Sequence, residues 1–190
     1  MIPYILKVLL QLIEYLKTEN LFTKKGDVVF NIARGLQHAF NIEASASFPH
    51  NPKDNNTLLT IAELKDVYKE IKPYMANQNS VVWEYSLKML SEHKKLVTCQ
   101  AGNIDMVLHA NGDITTCEYT KPFTNIRDYN FDLITLWNSK TAQTHRTKLH
   151  NCYCIHPCNL NTAIPRTLTG ILKLAPDIVK NKTRQLKNKL

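Results

Sequence analysis

Glycine and proline are scarce in this sequence, at 5 and 8 of 190 residues. That scarcity excludes a collagen-like chain and a linker-rich array, and a composition 44% hydrophobic and 21% charged excludes a disordered one. Long apolar runs are missing too. The N-terminal stretch MIPYILKVLLQLIEYLK is broken by Lys7, and its uncharged runs fall far short of the ~20 residues a membrane-spanning helix needs. Neither a basic leader nor a small-residue cleavage site accompanies it, so no secretory signal is expected. Cysteine is absent from the first 98 positions, and an odd total of five rules out complete internal disulfide pairing. These absences leave a globular, cytoplasmic protein of one domain or a domain and a half, with no membrane contact expected.

Net charge is +8, from 24 Lys and Arg against 16 Asp and Glu. The surplus is local: from Lys173 onward six basic residues face Asp177 alone, so five of the eight charges sit in the tail. A basic tail on a nearly neutral body points only weakly to nucleic acid or anionic lipid, and it reads better as a solvated helix end.

Along the chain, Lys7, Gln11, Glu14 and Lys17 or Thr18 draw one polar stripe on an otherwise apolar helix, which predicts burial on most of its surface. Asp27 to Ala33 reads as a short buried strand closed by Arg34-Gly35, and a polar loop lies near Pro49 to Asn56. Thr60 and Glu63 have the spacing of a capping box, ahead of an apolar face made by Ile61, Leu64, Val67, Tyr68 and Ile71. Pro73 should disrupt that helix. A further amphipathic segment runs from about Val81 to Leu96. Next, alternation on both sides of Asn111-Gly112 predicts a hairpin over 104–117 with a tight primed turn. Phe131 to Leu149 reads as one helix carrying Leu133, Leu136, Trp137 and Ala142, and Thr169 as the cap of a last helix broken at Pro176.

The clustering of Cys99, Cys117, Cys152, Cys154 and Cys158 is the main chemical clue. In a reducing compartment, thiols that converge are better explained as metal ligands than as bridges. The hairpin gives a reason for convergence, because Cys99 enters just before its first strand and Cys117 ends its second. The helix after it would return the other three toward the same end. His156-Pro157 argues for a turn there rather than a continuous helix. Four thiolates suit zinc or an iron-sulfur cluster alike, although C-x-C-x3-C is not the paired knuckle of ordinary zinc fingers. It also stays open that Cys99 and Cys117 are core cysteines and only the last three are reactive.

Six features occur in series: Cys99-Gln-Ala-Gly102, the hairpin with Gly112 and four residues between it and Cys117, Asn125-Ile126-Arg127, Phe131 to Ser139 around Trp137, Arg146, and the C-x-C-x3-C closure. In that order they resemble the auxiliary-cluster domain of radical SAM enzymes, of the SPASM or twitch type. The end of the Ile32 to Gly35 segment looks like a late strand of the radical SAM barrel. The resemblance implies an α+β chain: residues 1–97 as a remnant of the α/β barrel, 98–168 as a hairpin-plus-helix cluster domain, and 169–190 as a basic helical tail. It also implies one auxiliary 4Fe-4S cluster held by cysteines among Cys99, Cys117, Cys152, Cys154 and Cys158, with one to spare, acting in electron relay or substrate anchoring.

The departure from that family is as informative. The C-x3-C-x2-C loop that binds the cluster and S-adenosylmethionine in such enzymes has no counterpart here. The chain is therefore expected to be the C-terminal portion of a longer enzyme, incomplete as a catalyst, with S-adenosylmethionine bound only in the intact parent. Its expected partners are the N-terminal half of a radical SAM enzyme or a peptide or small-molecule substrate, and not nucleic acid. The different-class reading is a small structural zinc domain that mediates interactions.

His109, His145, His150 and His156 are further candidate ligands, with His156 the best placed. Trp83 and Trp137 read as core anchors. Arg34-Gly35 could face a substrate in an intact barrel or simply turn the chain. No Ser-His-Asp set, phosphate loop or carboxylate pair stands out.

Overall fold

A computed structural model describes residues 2–33, 39–40 and 58–176. In order these form α1 (Ile2–Thr18), β1 (Ala39–Phe40), α2 (Ile61–Ile71), α3 (Asn77–Glu92), β2 (Val107–Leu108), β3 (Asp113–Thr115), β4 (Thr124–Asn125), α4 (Leu133–Asn138), α5 (Lys140–Lys148), β5 (Tyr153–Cys154) and α6 (Pro157–Ala163). A last helix, α7, occupies 168–176. The mixture of helix with small sheets is compatible with the expected α+β class. No described helix is long and apolar enough to cross a membrane. The chain divides into two compact units, whose described residues are 2–33, 58–94 and 164–176 in the first, and 39–40 and 95–163 in the second.

In the first unit α2 forms where its capping signals place it. The Thr60 side chain accepts from the Glu63 N–H, and the Glu63 carboxylate accepts from the Thr60 N–H at 2.7 Å. Its buried face is Leu64, Val67 and Ile71, and beyond it Pro73 limits the chain to a single 3-10 turn over Lys72–Tyr74. Trp83 of α3 stacks on Tyr68 of α2 with ring centroids 5.8 Å apart. α3 begins and ends earlier than expected: His93 takes a left-handed conformation at its C-cap, so Lys94 to Leu96 lie outside it.

The strand expected at Asp27–Ala33 is not formed, and no barrel strand is present among the first unit's described residues. Asp27 instead closes a turn, its carboxylate accepting from the N–H groups of Thr23 and Lys24 at 2.9 Å. At Phe30 the backbone is satisfied by side chains rather than a neighbouring strand. Asn79 Oδ1 accepts from the Phe30 N–H, while Asn79 Nδ2 and Trp83 Nε1 both donate to its carbonyl, at 3.0 and 2.8 Å. Arg34-Gly35, the loop over 49–56 and the tail beyond 176 lie outside the described residues. The last helix is capped by Thr167, whose hydroxyl accepts from the Gly170 N–H at 3.0 Å, and not by Thr169.

The second unit is built on the antiparallel sheet β2-β3-β4. The expected hairpin forms with Val107 opposite Thr115 and Leu108 opposite Ile114. Its turn is not the primed pair expected. Of Asn111-Gly112 the glycine alone takes positive φ, at +89°, which gives a three-residue loop closed by the His109 N–H to Asp113 carbonyl bond. Ile114, Ile126 and Leu136 make the buried core beneath the sheet, edged by Met106, Phe123 and Tyr129. The helix expected over Phe131–Leu149 is two helices, because Ser139 (ψ 151°) ends α4 and its hydroxyl caps α5 through the Ala142 N–H. A second, two-stranded sheet pairs β1 with β5, with Ala39 opposite Cys154.

Candidate metal centre

Each cysteine is placed by a different local device. Cys99 precedes a turn in which the Gln100 carbonyl accepts from Asn103 and Ile104, and Gly102 holds φ +75°. Arg146 of α5 secures that turn by donating to the Gly102 carbonyl at 3.2 Å and to the Trp137 carbonyl at 2.7 Å. Cys117 follows β3, where the Thr120 hydroxyl both accepts from its N–H and donates to its carbonyl. Cys152 ends the 3-10 turn Leu149–Asn151, Cys154 lies in β5, and Cys158 sits in the first turn of α6. The turn expected at His156-Pro157 is thus the passage from β5 into α6.

All five cysteines line one cavity of about 170 Å³, shared with Ala101, Asp105, Leu149, His156 and Asn159 among others. A single water needs only ~10–15 Å³ of such space, so the cavity admits a group of several atoms. No disulfide joins any of the five. Cys99, Cys152 and Cys154 are buried and Cys117 half-buried, whereas Cys158 is exposed. Among the described residues no three His, Cys, Asp or Glu donors come together closely enough to grip one metal ion.

The Cys117 sulfur accepts a hydrogen bond from the Tyr119 backbone N–H, two residues on, at 3.3 Å. The N–H groups of Ala101 and His156, at the same offset from Cys99 and Cys154, work against burial by favouring those thiolates. The Asn159 amide lies 3.9 Å from the Cys154 sulfur, and its buried oxygen has no partner. Backbone donors aimed at sulfur suit a thiolate better than a thiol, because charge doubles the strength of such bonds.

Burial dominates the titration of these groups. It pushes the Cys117 thiol up to about 11 and Cys154 to about 12, with the Cys99 thiol adding to both, and it raises Cys99 as well. Cys152 is raised by burial and then by Cys154, Cys99 and Cys117. Cys99, Cys117, Cys152 and Cys154 therefore lie within electrostatic reach of one another. On their own they stay neutral near pH 7, and a multiply charged cation among them would deprotonate all four.

The histidines divide. The His109 ring is bonded to the Thr115 hydroxyl at 3.2 Å, and His145 stacks on Phe123 with centroids 4.6 Å apart. His156 is buried beside the cavity with both ring nitrogens engaged, Nδ1 accepting from the Cys158 N–H and Nε2 meeting Glu118. The side chain of His150 lies outside the described residues. The cavity-lining Asp105, Glu118 and Asn159 were not singled out by the sequence. Asp105 and Glu118 are close neighbours of Cys99 and Cys117 in the chain, the only signal available for them.

A small unit that brings five cysteines, from a turn, a strand end, a strand and a helix start, to line one cavity has the donor set of a metal-thiolate domain. Comparison with known proteins narrows the class. Residues 99–160 match the family model of SPASM, an iron-sulfur cluster-binding domain. The matched segment is the one whose motif order resembled that domain, and the match points to iron-sulfur cluster binding. No curated protein and no solved structure matches the chain.

Proposed function

We propose that the second unit holds one 4Fe-4S cluster on the thiolates of Cys99, Cys117, Cys152 and Cys154, and serves as the auxiliary-cluster part of a radical SAM enzyme. The observation that carries this reading is that all five cysteines line one cavity, with the Tyr119 N–H bonded to the Cys117 sulfur. Its size supports a multi-atom core over a lone zinc ion, whose four sulfurs at ~2.3 Å would crowd to a point. Cys158, exposed at the first turn of α6, is the spare thiol.

When bound, the cluster supplies one-electron chemistry. The chain's own residues hold it, exclude water through Leu149 and Tyr119, and direct N–H donors at the sulfurs, which sets the potential. With four cysteine ligands no iron is open, so relay of electrons is favoured over anchoring of substrate. Generation of a radical from S-adenosylmethionine belongs to the C-x3-C-x2-C part of the parent enzyme. Its N-terminal half, or a peptide or small-molecule substrate, is the partner this reading names.

The test is anaerobic reconstitution of the chain with iron and sulfide. About four irons per chain, broad visible absorption and an EPR signal on reduction are expected. Cys117→Ala should lose that signal and Cys158→Ala should keep it. One equivalent of zinc with no iron uptake would overturn the reading in favour of a structural zinc domain, and an unchanged cluster in Cys117→Ala would overturn the ligand set.

A further inference from the structure

His156 stands between the two cysteine-bearing segments and touches both. Its Nδ1 accepts from the Cys158 N–H at 3.1 Å, so the ring proton is on Nε2, which is directed at the Glu118 carboxylate. Its ring meets Tyr119 edge-on, with centroids 5.4 Å apart and planes at 85°. Glu118 and Tyr119 immediately follow Cys117, and the Tyr119 N–H is the donor to the Cys117 sulfur. His156 itself follows Cys154 by two residues, where β5 passes into α6. One residue thus connects the turn that presents Cys117 with the β5-to-α6 passage that presents Cys154 and Cys158. Both ring nitrogens are spent on these bonds, so the ring is not disposed as a ligand.

We infer that His156 is a positioning residue, clamped to Glu118, that fixes how the Cys117 and Cys154 sulfurs face the cavity. The inference rests on the cluster reading above. The clamp orients ligands through their backbone donors, and loosening it frees the N–H bonds that tune the sulfurs. Glu118 is its exposed half, with a side chain 45% accessible, and can be altered without opening the core.

The experiment uses the full chain reconstituted anaerobically with iron and sulfide, as wild type and as Glu118→Ala, His156→Ala, His156→Gln and His156→Cys. Iron release to a chelator and the EPR spectrum of the reduced protein are followed. Glu118→Ala and His156→Ala should release iron ~10-fold faster and show a displaced EPR signal. His156→Gln retains an acceptor for the Cys158 N–H and a donor for Glu118, and should restore both readouts toward wild type. Unchanged release and spectra in Glu118→Ala and His156→Ala would overturn the clamp. Restoration by His156→Cys but not by His156→Gln would make position 156 a ligand and overturn it equally. Failure of the wild type to take up iron is a separate result, which removes the cluster reading itself.

Discussion

Replacing Gly102 with alanine tests how the Cys99 turn is held. Gly102 adopts φ +75°, and an added Cβ would lie 2.9 Å from Arg146 Cγ and 3.0 Å from Thr116 Cγ2. The left-handed backbone costs an L-residue ~1–2 kcal/mol. Crowding against two well-placed neighbours adds ~1–3 kcal/mol, so the expected loss is ~2–5 kcal/mol in the second unit. Arg146 cannot retreat freely, because its guanidinium is tied to the carbonyls of Gly102 and Trp137 and lies 5.3 Å from the Trp137 ring. The assay is urea unfolding followed by Trp137 fluorescence in a Trp83→Phe background, so that the signal comes from one unit. A fall in midpoint without change of slope is expected. In an Arg146→Ala background the Cγ contact is gone, and Gly102→Ala should cost ~1 kcal/mol less. A Gly102→Ala midpoint equal to that of Gly102, or strict additivity with Arg146→Ala, would refute the account of this turn.

Three further outcomes are expected. Thr60→Ala removes the hydroxyl that caps α2 and should lower the stability of the first unit by ~1 kcal/mol, measured by thermal unfolding followed by circular dichroism. Asn79→Ala strips the Phe30 N–H of its acceptor and its carbonyl of one donor, and should cost ~1–3 kcal/mol in urea unfolding, more than an Asn77→Ala control. Burial pushes the Glu84 carboxyl up, but bonds from Lys173, Lys72 and Tyr68 outweigh it and hold it below the ordinary value. Its contribution is therefore full above the usual carboxylate range and is lost as pH falls through it. Glu84→Gln should be less stable than wild type at pH 7 by under ~1 kcal/mol, with the gap closing as the pH falls below the usual carboxylate range; a gap that widens on acidification would contradict the assignment.

What was legible in the sequence was what is local. The capping box of Thr60 and Glu63 is completed within four residues, so nothing distant could override it. The hairpin was legible from alternation around Asn111-Gly112, but in its turn the Asn111 carbonyl accepts from the side chains of Asn125 and Arg127, more than a dozen positions on. The apolar run at Asp27 to Ala33 has strand composition, yet its partners are the side chains of Asn79 and Trp83, some fifty positions away and invisible to periodicity. The break at Ser139 was signalled by a capping residue inside the pattern, and was masked by apolar spacing that runs on through Ala142. At the site, hairpin geometry accounts for Cys99 and Cys117 alone, lying before its first strand and after its second. The pairing of β1 with β5, which seats Cys154, joins segments more than a hundred positions apart and carries no local signal.

The interruption at Ser139 has a mechanical consequence. In an uninterrupted helix residues 137 and 146 would stand ~13.5 Å apart along the axis, beyond what a guanidinium can bridge. By folding the rod into an elbow, the chain lets Arg146 reach back to Trp137 and across to Gly102 with the same planar group. The two short helices then work as a latch on the loop that carries the first sulfur. A residue that merely ends one helix and begins another thereby governs how firmly the turn after Cys99 is held.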